Sequence, residues 1–317
     1  MKRFYQNRAE NGSTTITALI VVGIVAIAVS GLAWKQQLEI RQLENVRDQV
    51  QITWLQKNLV DFSRVILKDD ARINPNTDHL GEVWALPLQD SKIADFLKSQ
   101  ELPDEIESIV LKGRLIDAQS KFNLTNLWGT NHSGLADTDA IKVYVNLLNQ
   151  LGLDGQLANQ TVNIALRNKV KPIQIDDLIS YPGYSRDVLK KISPYIIVLP
   201  ENTPVNLNTC STEVLLAIYP FLSRSDAERL MQSRASNPFS SLDDINKRVN
   251  QVQPNIATPS VNSLVDVKSH YWIAYSEIQM RQRLFNNQTL ISRSDTLLSG
   301  GNLTQIIWSK QYLSQLQ

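Results

Sequence analysis

A single cysteine, Cys210, is all that the 317 residues offer. No internal disulfide can form, and thiol usage leaves the compartment to be argued from the N-terminus. Histidine is almost as scarce. His79, His132 and His270 stand far apart, and no His-Glu-x-x-His, Gly-x-Ser-x-Gly or Walker-type phosphate loop accompanies them. The chain therefore carries no enzyme signature. An excess of one charge is missing too: 32 Lys+Arg face 31 Asp+Glu, so a nucleic-acid role would have to rest on a local patch. Hydrophobic residues are not lacking, and the length suffices for one large domain or two ordinary ones.

What is present begins with an apolar run. From Ile16 to Ala33 the polar exceptions are Thr17 and Ser30. About eighteen residues at 1.5 Å each nearly cross a ~30 Å hydrocarbon core. Lys2, Arg3 and Arg8 precede the run against Glu10 alone, and the charges after it are mixed. The positive-inside rule then leaves the N-terminus in the cytoplasm and the bulk of the chain outside. A secretory signal would end in a small-residue cleavage site, and Ala28-Val29-Ser30-Gly31 is a poor one. The apolar pattern instead continues through Leu43, Val46, Val50, Leu59, Phe62 and Ile66, predicting one helix that leaves the membrane and packs under a globular head. An uncleaved signal anchor is the plainer reading of the same segment.

Asn74-Pro75-Asn76 and Pro87 break the helical pattern, and 92–97 reads as a short helix before Pro103. Branched residues predict strands at 106–113 and 114–118, kinked at Gly113, and another at 121–127. From Asp137 to about Ile245 the periodicity is helical, with segments at 141–151, 158–166, 175–179, 188–192, 212–218 and 225–234. Strands resume at 271–278, 283–291 and 303–312. A sheet that gathers strands from both sides of a helical insert is the simplest account, an α+β fold. Two consecutive domains would leave the first strands as an unusually small sheet covered by the helix alone. Within the insert, Tyr181-Pro-Gly-Tyr-Ser-Arg186 echoes Tyr219-Pro-Phe-Leu-Ser-Arg224. The echo predicts two helix-hairpin units with Ser185 and Ser223 as N-caps.

Asn11-Gly-Ser-Thr-Thr-Ile16, a short basic leader ending in Gly12 just ahead of the apolar run, looks like a prepilin peptidase site with Ser13 as the mature terminus. In most proteins of that kind the fifth mature residue is Glu. Its carboxylate pairs with the terminal amine of a neighbouring subunit in an apolar bundle, where unpaired charge is costly. Here that position is Thr17. Further along come Ala118-Gln-Ser-Lys-Phe-Asn-Leu124, Leu147-Leu-Asn-Gln-Leu-Gly-Leu-Asp154 and Pro204-Val-Asn-Leu-Asn-Thr-Cys-Ser-Thr-Glu-Val-Leu215. Asn237-Pro-Phe-Ser-Ser-Leu-Asp-Asp-Ile245 and Ser269-His-Tyr-Trp272 follow. In this order, and without the Glu, they resemble the K-type minor pseudopilins of the bacterial type II secretion system, the general secretion pathway protein K family, along nearly the whole chain.

The resemblance implies a leader at 1–12, a transmembrane and assembly helix at 13–34, a pilin-like domain in two parts at 35–133 and 259–317, and an inserted α-helical domain at 134–258. It implies a structural protein without catalytic activity, at the tip of a periplasmic pseudopilus that exports folded proteins across the outer membrane. It places the chain in the inner membrane by a single pass, its bulk periplasmic, matured by the prepilin peptidase and methylated there. The implied partners are I-type and J-type minor pseudopilins, with the secretin and secreted substrates nearby, and no nucleic acid. The family can bind calcium. Its acidic stretch with Trp and several Asp after the Leu-Gly-Leu-Asp run is replaced here, from Asn159 to Lys171, by Asn-Gln-Thr-Val-Asn-Ile-Ala-Leu-Arg-Asn-Lys-Val-Lys. Calcium needs six to eight oxygen ligands, usually with several carboxylates, so calcium is a cofactor that the resemblance allows and that this segment does not support.

Val205-Asn-Leu-Asn-Thr209 and Asn237-Pro-Phe239 also resemble helix-hairpin-helix modules, the basis of the alternative function, a DNA-binding or DNA-uptake membrane protein. Such hairpins bring backbone N–H groups to phosphates through a Gly-apolar-Gly turn. Pro220-Phe-Leu-Ser-Arg224 has no glycine and Pro182-Gly183-Tyr184 has one, so packing is the preferred role. Asp117 and Asp154 read as turn or capping residues. Tyr271, Trp272 and Tyr275 read as strand core. Cys210, at a probable helix start where a thiolate is favoured, reads as a small buried residue. Arg167, Lys169 and Lys171 form a solvated basic surface or a seat for an acidic partner. The leader reading has a direct check: mass spectrometry of the membrane-extracted protein should find Ser13 at the N-terminus. An intact Met1, or a terminus beyond Gly31, contradicts it.

Overall fold

The computed structural model describes residues 11–92, 109–129, 136–254, 263–281, 283–294 and 303–315. Leader residues 1–10 and His132 lie outside them. The chain divides into two compact units, Met1–Leu55 and Gln56–Gln317. One helix, α1 (Asn11–Ile73), contributes to both. In the first unit every described side chain from Thr14 to Arg47 is exposed, and the helix is unbroken through the apolar run, with open space around Gly23 and Gly31. A continuous helix uses its own backbone polar groups, which is what a bilayer core demands. From Thr14 onward it is long and apolar enough to cross a membrane.

In the second unit the described elements follow in chain order. After α1 come β1 (Leu88–Lys92), β2 (Val110–Asp117), β3 (Phe122–Asn123), α2 (Thr138–Gln150), α3 (Gln156–Asn168), α4 (Arg186–Ile192) and β4 (Ile196–Ile197). Then come β5 (Val205–Asn206), α5 (Thr212–Ile218), α6 (Arg224–Ser236), α7 (Leu242–Val252), β6 (Val265–Asp266), β7 (Tyr271–Met280), β8 (Arg283–Arg293) and β9 (Thr304–Gln315). The main sheet is antiparallel in the order β1-β2-β7-β8-β9. β2 and β7 are neighbours although the helical insert separates them in sequence, so the sheet does gather strands from both sides of the insert.

Strand alternation divides the core. Trp272 and Ala274 face Val60 and Leu67 of α1, with Trp84, Leu115 and Ile291 completing that cluster. Tyr271 and Ile273 face the other way, onto Ala118, Ile197, Leu199 and Leu290. The start of β7 is covered on both faces, which is why Tyr271-Trp-Ile-Ala274 reads as an unbroken apolar run rather than an alternating one. Trp84 and Trp272 meet edge to face at 6.2 Å. The insert's helices pack in a separate core that Phe122 of β3 joins, stacked on Tyr144 at 6.0 Å.

Four local expectations need correction. Over their described residues the strands expected at 106–113 and 114–118 are one, because Gly113 keeps its place in the ladder opposite Ser276, and 106–108 lie outside the described residues. A Cβ there would meet Leu88 at an ordinary 3.7 Å, so nothing forces a kink. Lys92 ends a strand rather than starting a helix, and most of the expected 92–97 helix lies outside the described residues. The strand expected at 121–127 shrinks to β3. Asn123 then accepts a hydrogen bond from the Thr125 N–H (3.0 Å) and turns the chain into a 3-10 helix, Leu124–Leu127. The segment at 175–179 is also 3-10, Ile175–Ser180. The hairpin echo keeps its caps: Ser185 accepts from the Val188 N–H and Ser223 from the Asp226 N–H.

Candidate functional site

Helix, sheet and insert meet at one buried point. Arg293, the last residue of β8, has a side chain only 1% exposed. Its Nη1 donates to Asp70 Oδ2 on α1 (2.7 Å) and to the Leu67 carbonyl (3.3 Å), and its Nη2 donates to Asp78 Oδ1. The guanidinium carbon stands 4.2 Å from the centroid of the Trp272 ring. Asp78 Oδ2 accepts the Ser269 N–H (2.8 Å), and Ser269 Oγ donates to Asp117 Oδ2 (2.7 Å). The same carboxylate oxygen accepts from Asn206 Nδ2 (3.0 Å) and Thr209 Oγ1 (2.5 Å) of the insert. Asn206 Nδ2 also reaches the Asp78 carbonyl at 3.0 Å. Gln119 closes the joint, its Oε1 accepting the His270 N–H (2.6 Å) and its Nε2 donating to the Pro204 carbonyl (2.9 Å).

Burial outweighs these contacts for several carboxyls. The Asp117 carboxyl is pushed up to about 6 by desolvation, against the hydrogen bonds from Thr209 and Ser269. Burial raises Asp78 as well, opposed chiefly by Arg293. Glu82 is pushed up to about 7 by desolvation. Its Oε2 accepts Trp84 Nε1–H (2.6 Å) and the His79 N–H (3.0 Å), while Oε1 is buried with no hydrogen-bond partner among the described residues and with His79 Nε2 at 3.6 Å.

Asp70, Asp78 and Glu82 offer carboxylate oxygens within 4.8 Å of one another, a grouping with the spacing of metal ligands. Arg293 already supplies the cation there, bonded to both aspartates. Where the resemblance would place calcium, the residues do not fit it. α3 carries no carboxylate, and Asp154 is turned to the Gln156 N–H (2.8 Å).

The other residues singled out in the sequence fall as follows. Gly12 and Ser13 lie in the first turn of α1, and exposed Thr17 donates its hydroxyl to the Thr14 carbonyl at 3.0 Å. Asp117 does cap the 3-10 helix Ala118–Ser120, yet it is also the hub of the junction. Cys210 is buried, and burial pushes its thiol up. Arg234 donates to its carbonyl at 2.6 Å. Sequence reading missed Asp70, Asp78, Glu82 and Arg293. One signal was available: Arg293 shares strand parity with Phe285 and Ile291, both buried, and a charge on an apolar face implies a buried partner.

Glu82 and Asp117 hold protons in the folded chain at pH values where the unfolded chain has released them. Their contribution to stability is therefore full below about pH 4 and declines as pH rises through 6 to 7. His79 is lowered from 6.5 by burial and acts in the opposite sense below that pH, so the variant and not the raw profile isolates Glu82. In urea unfolding, Glu82→Gln should gain stability relative to wild type at pH 8 compared with pH 5. An unchanged difference contradicts the assignment. Arg293→Met, which strands two buried carboxylates, should lose about 3–5 kcal/mol.

A family model described as type II secretion system (T2SS), protein K, matches residues 205–268, the stretch that gives Asn206 and Thr209 to the junction. The type II secretion system protein K of Pseudomonas aeruginosa is 27% identical over 90% of this chain and 88% of its own. That of Aeromonas hydrophila is 24% identical over 84% of this chain and 88% of its own. A chain in the crystal structure of the GspK-GspI-GspJ complex from the enterotoxigenic Escherichia coli type 2 secretion system superposes with a TM-score of 0.66 at 15% identity. That match covers 86% of this chain and 100% of the other, and it shows the shared fold. In sequence over most of its length the chain is thus similar to type II secretion system K proteins, and it shares the fold of a chain in the GspK-GspI-GspJ complex.

Proposed function

We propose that the chain is a minor pseudopilin of the type II secretion system that caps the pseudopilus and serves export of folded proteins by assembly, not catalysis. The observation that carries this reading is the likeness to type II secretion protein K over nine tenths of the chain. The DNA-binding alternative finds no support among these relatives. One apolar helix near the N-terminus fits a single-pass anchor. We place that anchor in the inner membrane, with the bulk periplasmic, on the charge asymmetry around it. The fold matches a chain solved in a complex named for three components, GspK, GspI and GspJ, which supports I-type and J-type minor pseudopilins as partners.

A cap follows from Thr17 and from size. The Thr17 hydroxyl is satisfied within its own helix, so the position offers no carboxylate to a neighbour's terminal amine. With processing by the prepilin peptidase at Ser13, the chain has an amine to give to a subunit below and needs none from above. A head of this length has a radius of gyration of about 18 Å, bulky for a repeating subunit. The buried Cys210 gives a clean background for cysteines placed at exposed spine positions such as Ile24 and Leu43. Oxidation in cells should link them to one or two other minor pseudopilins. A ladder of self-linked multimers contradicts the cap.

A further inference from the structure

α3 ends in an unusual way. Lys169 caps it in the left-handed conformation (φ 54°, ψ 27°), its N–H bonded to the Ala165 carbonyl. Glycine commonly takes this place because a Cβ strains it. Around the lysine stand exposed aliphatics: Leu166 is 41% exposed, Val170 62% and Ile173 84%. Arg167 and Lys169 have no ion pair or hydrogen bond from their side chains among the described residues. Lys171 carries its ammonium 5.5 Å from the centroid of the buried Trp128 ring. A basic residue in the last turn complements the helix dipole. That accounts for Arg167, but neither for a strained lysine nor for three exposed aliphatics beside it.

The backbone of this segment is fixed. The Val170 carbonyl accepts from Tyr181 OH (3.2 Å), and the Ile173 and Gln174 N–H groups donate to Asp177 Oδ2 at 2.8 and 3.1 Å. Those bonds hold the Asp177 carboxyl below its ordinary range and orient it onto its own turn. Asp176 is the other acidic residue on that turn and is exposed.

We propose that residues 166–173 form a docking surface for a protein partner that presents carboxylates around an apolar patch. Unpaired cations supply charge complementarity to such a partner, the aliphatics supply area to bury, and the tethered backbone keeps the ordering cost of binding low. A lipid surface is the lesser fit, because Lys171 lies across an aromatic ring instead of extending toward headgroups.

The test uses the full-length protein in cells that carry its secretion machinery, with a benzophenone side chain at Ile173 and, as control, at the exposed Leu80. Light should yield a discrete protein adduct at Ile173 whose linked peptide is acidic. The double change Arg167→Glu with Lys169→Glu should reduce that adduct about tenfold, a loss of about 1.4 kcal/mol in binding, and Lys substitutions at the partner's carboxylates should restore it. Lys169→Gly should melt no lower than wild type yet weaken the adduct, which a purely structural lysine would not do. An adduct no stronger than the control, one indifferent to charge reversal, or one of phospholipid mass overturns the proposal. The spine crosslinks judge the cap separately, so the two readings fail independently.

Discussion

A guanidinium buried between two carboxylates is the constraint from which the rest of the molecule can be reasoned. Arg293 lies where water does not reach, and its charge is tolerable because Asp70 and Asp78 answer it. Such pairs add little stability over a well-packed apolar alternative, but they tolerate very few geometries. The end of α1, the loop after it and the end of β8 must therefore arrive together. Through Asp78 the constraint passes to Ser269, from Ser269 to Asp117, and from Asp117 to Asn206 and Thr209. The chain ahead of the helical insert, the chain after it and a segment from its middle are thereby tied to one point. This is what a sheet needs when β2 and β7 pair across so long an interruption, because loop closure is otherwise set against the pairing.

The helix, the strands after the insert and most insert helices were legible in the sequence, since each rests on local periodicity. α5 falls at 212–218 as the spacing predicts, and the Ser caps stand where the turn chemistry places them. The failures have physical causes as well. Gly113 looked like a break because glycine is permissive, yet a strand held on both sides leaves it no reason to turn. Residues 121–127 looked like a strand, with Phe122, Leu124 and Leu127 set among polar residues, but side-chain hydrogen bonds from Asn123 and Asn126 to the 201–203 loop compete with the ladder. The junction was half visible. Its insert side lies inside quoted motifs, while Asp70, Asp78 and Glu82 come from segments that read as polar helix end and loop. Only long-range packing brings them to Arg293.

On the proposed reading as an assembly protein the site is distributed. The apolar half of α1 is long and apolar enough to cross a membrane, and the junction links sheet to insert through buried hydrogen bonds. The basic tip at Lys169 belongs to the insert, so the junction also governs how that surface is presented. α3 carries no carboxylate, and packing and hydroxyl contacts tie it to its neighbours. Tyr184 OH, for example, meets Tyr144 OH at 2.9 Å and Thr161 Oγ1 at 2.8 Å.

The buried junction makes sheet and insert one cooperative body. Amide hydrogen exchange of the detergent-solubilised chain compares them directly, using wild type and Asn206→Ala. In wild type the amides of β7 and of α5 should open with one free energy, and the variant should separate them, the insert opening first. Two distinct opening energies already present in wild type, or a variant that leaves them equal and unchanged, would contradict it.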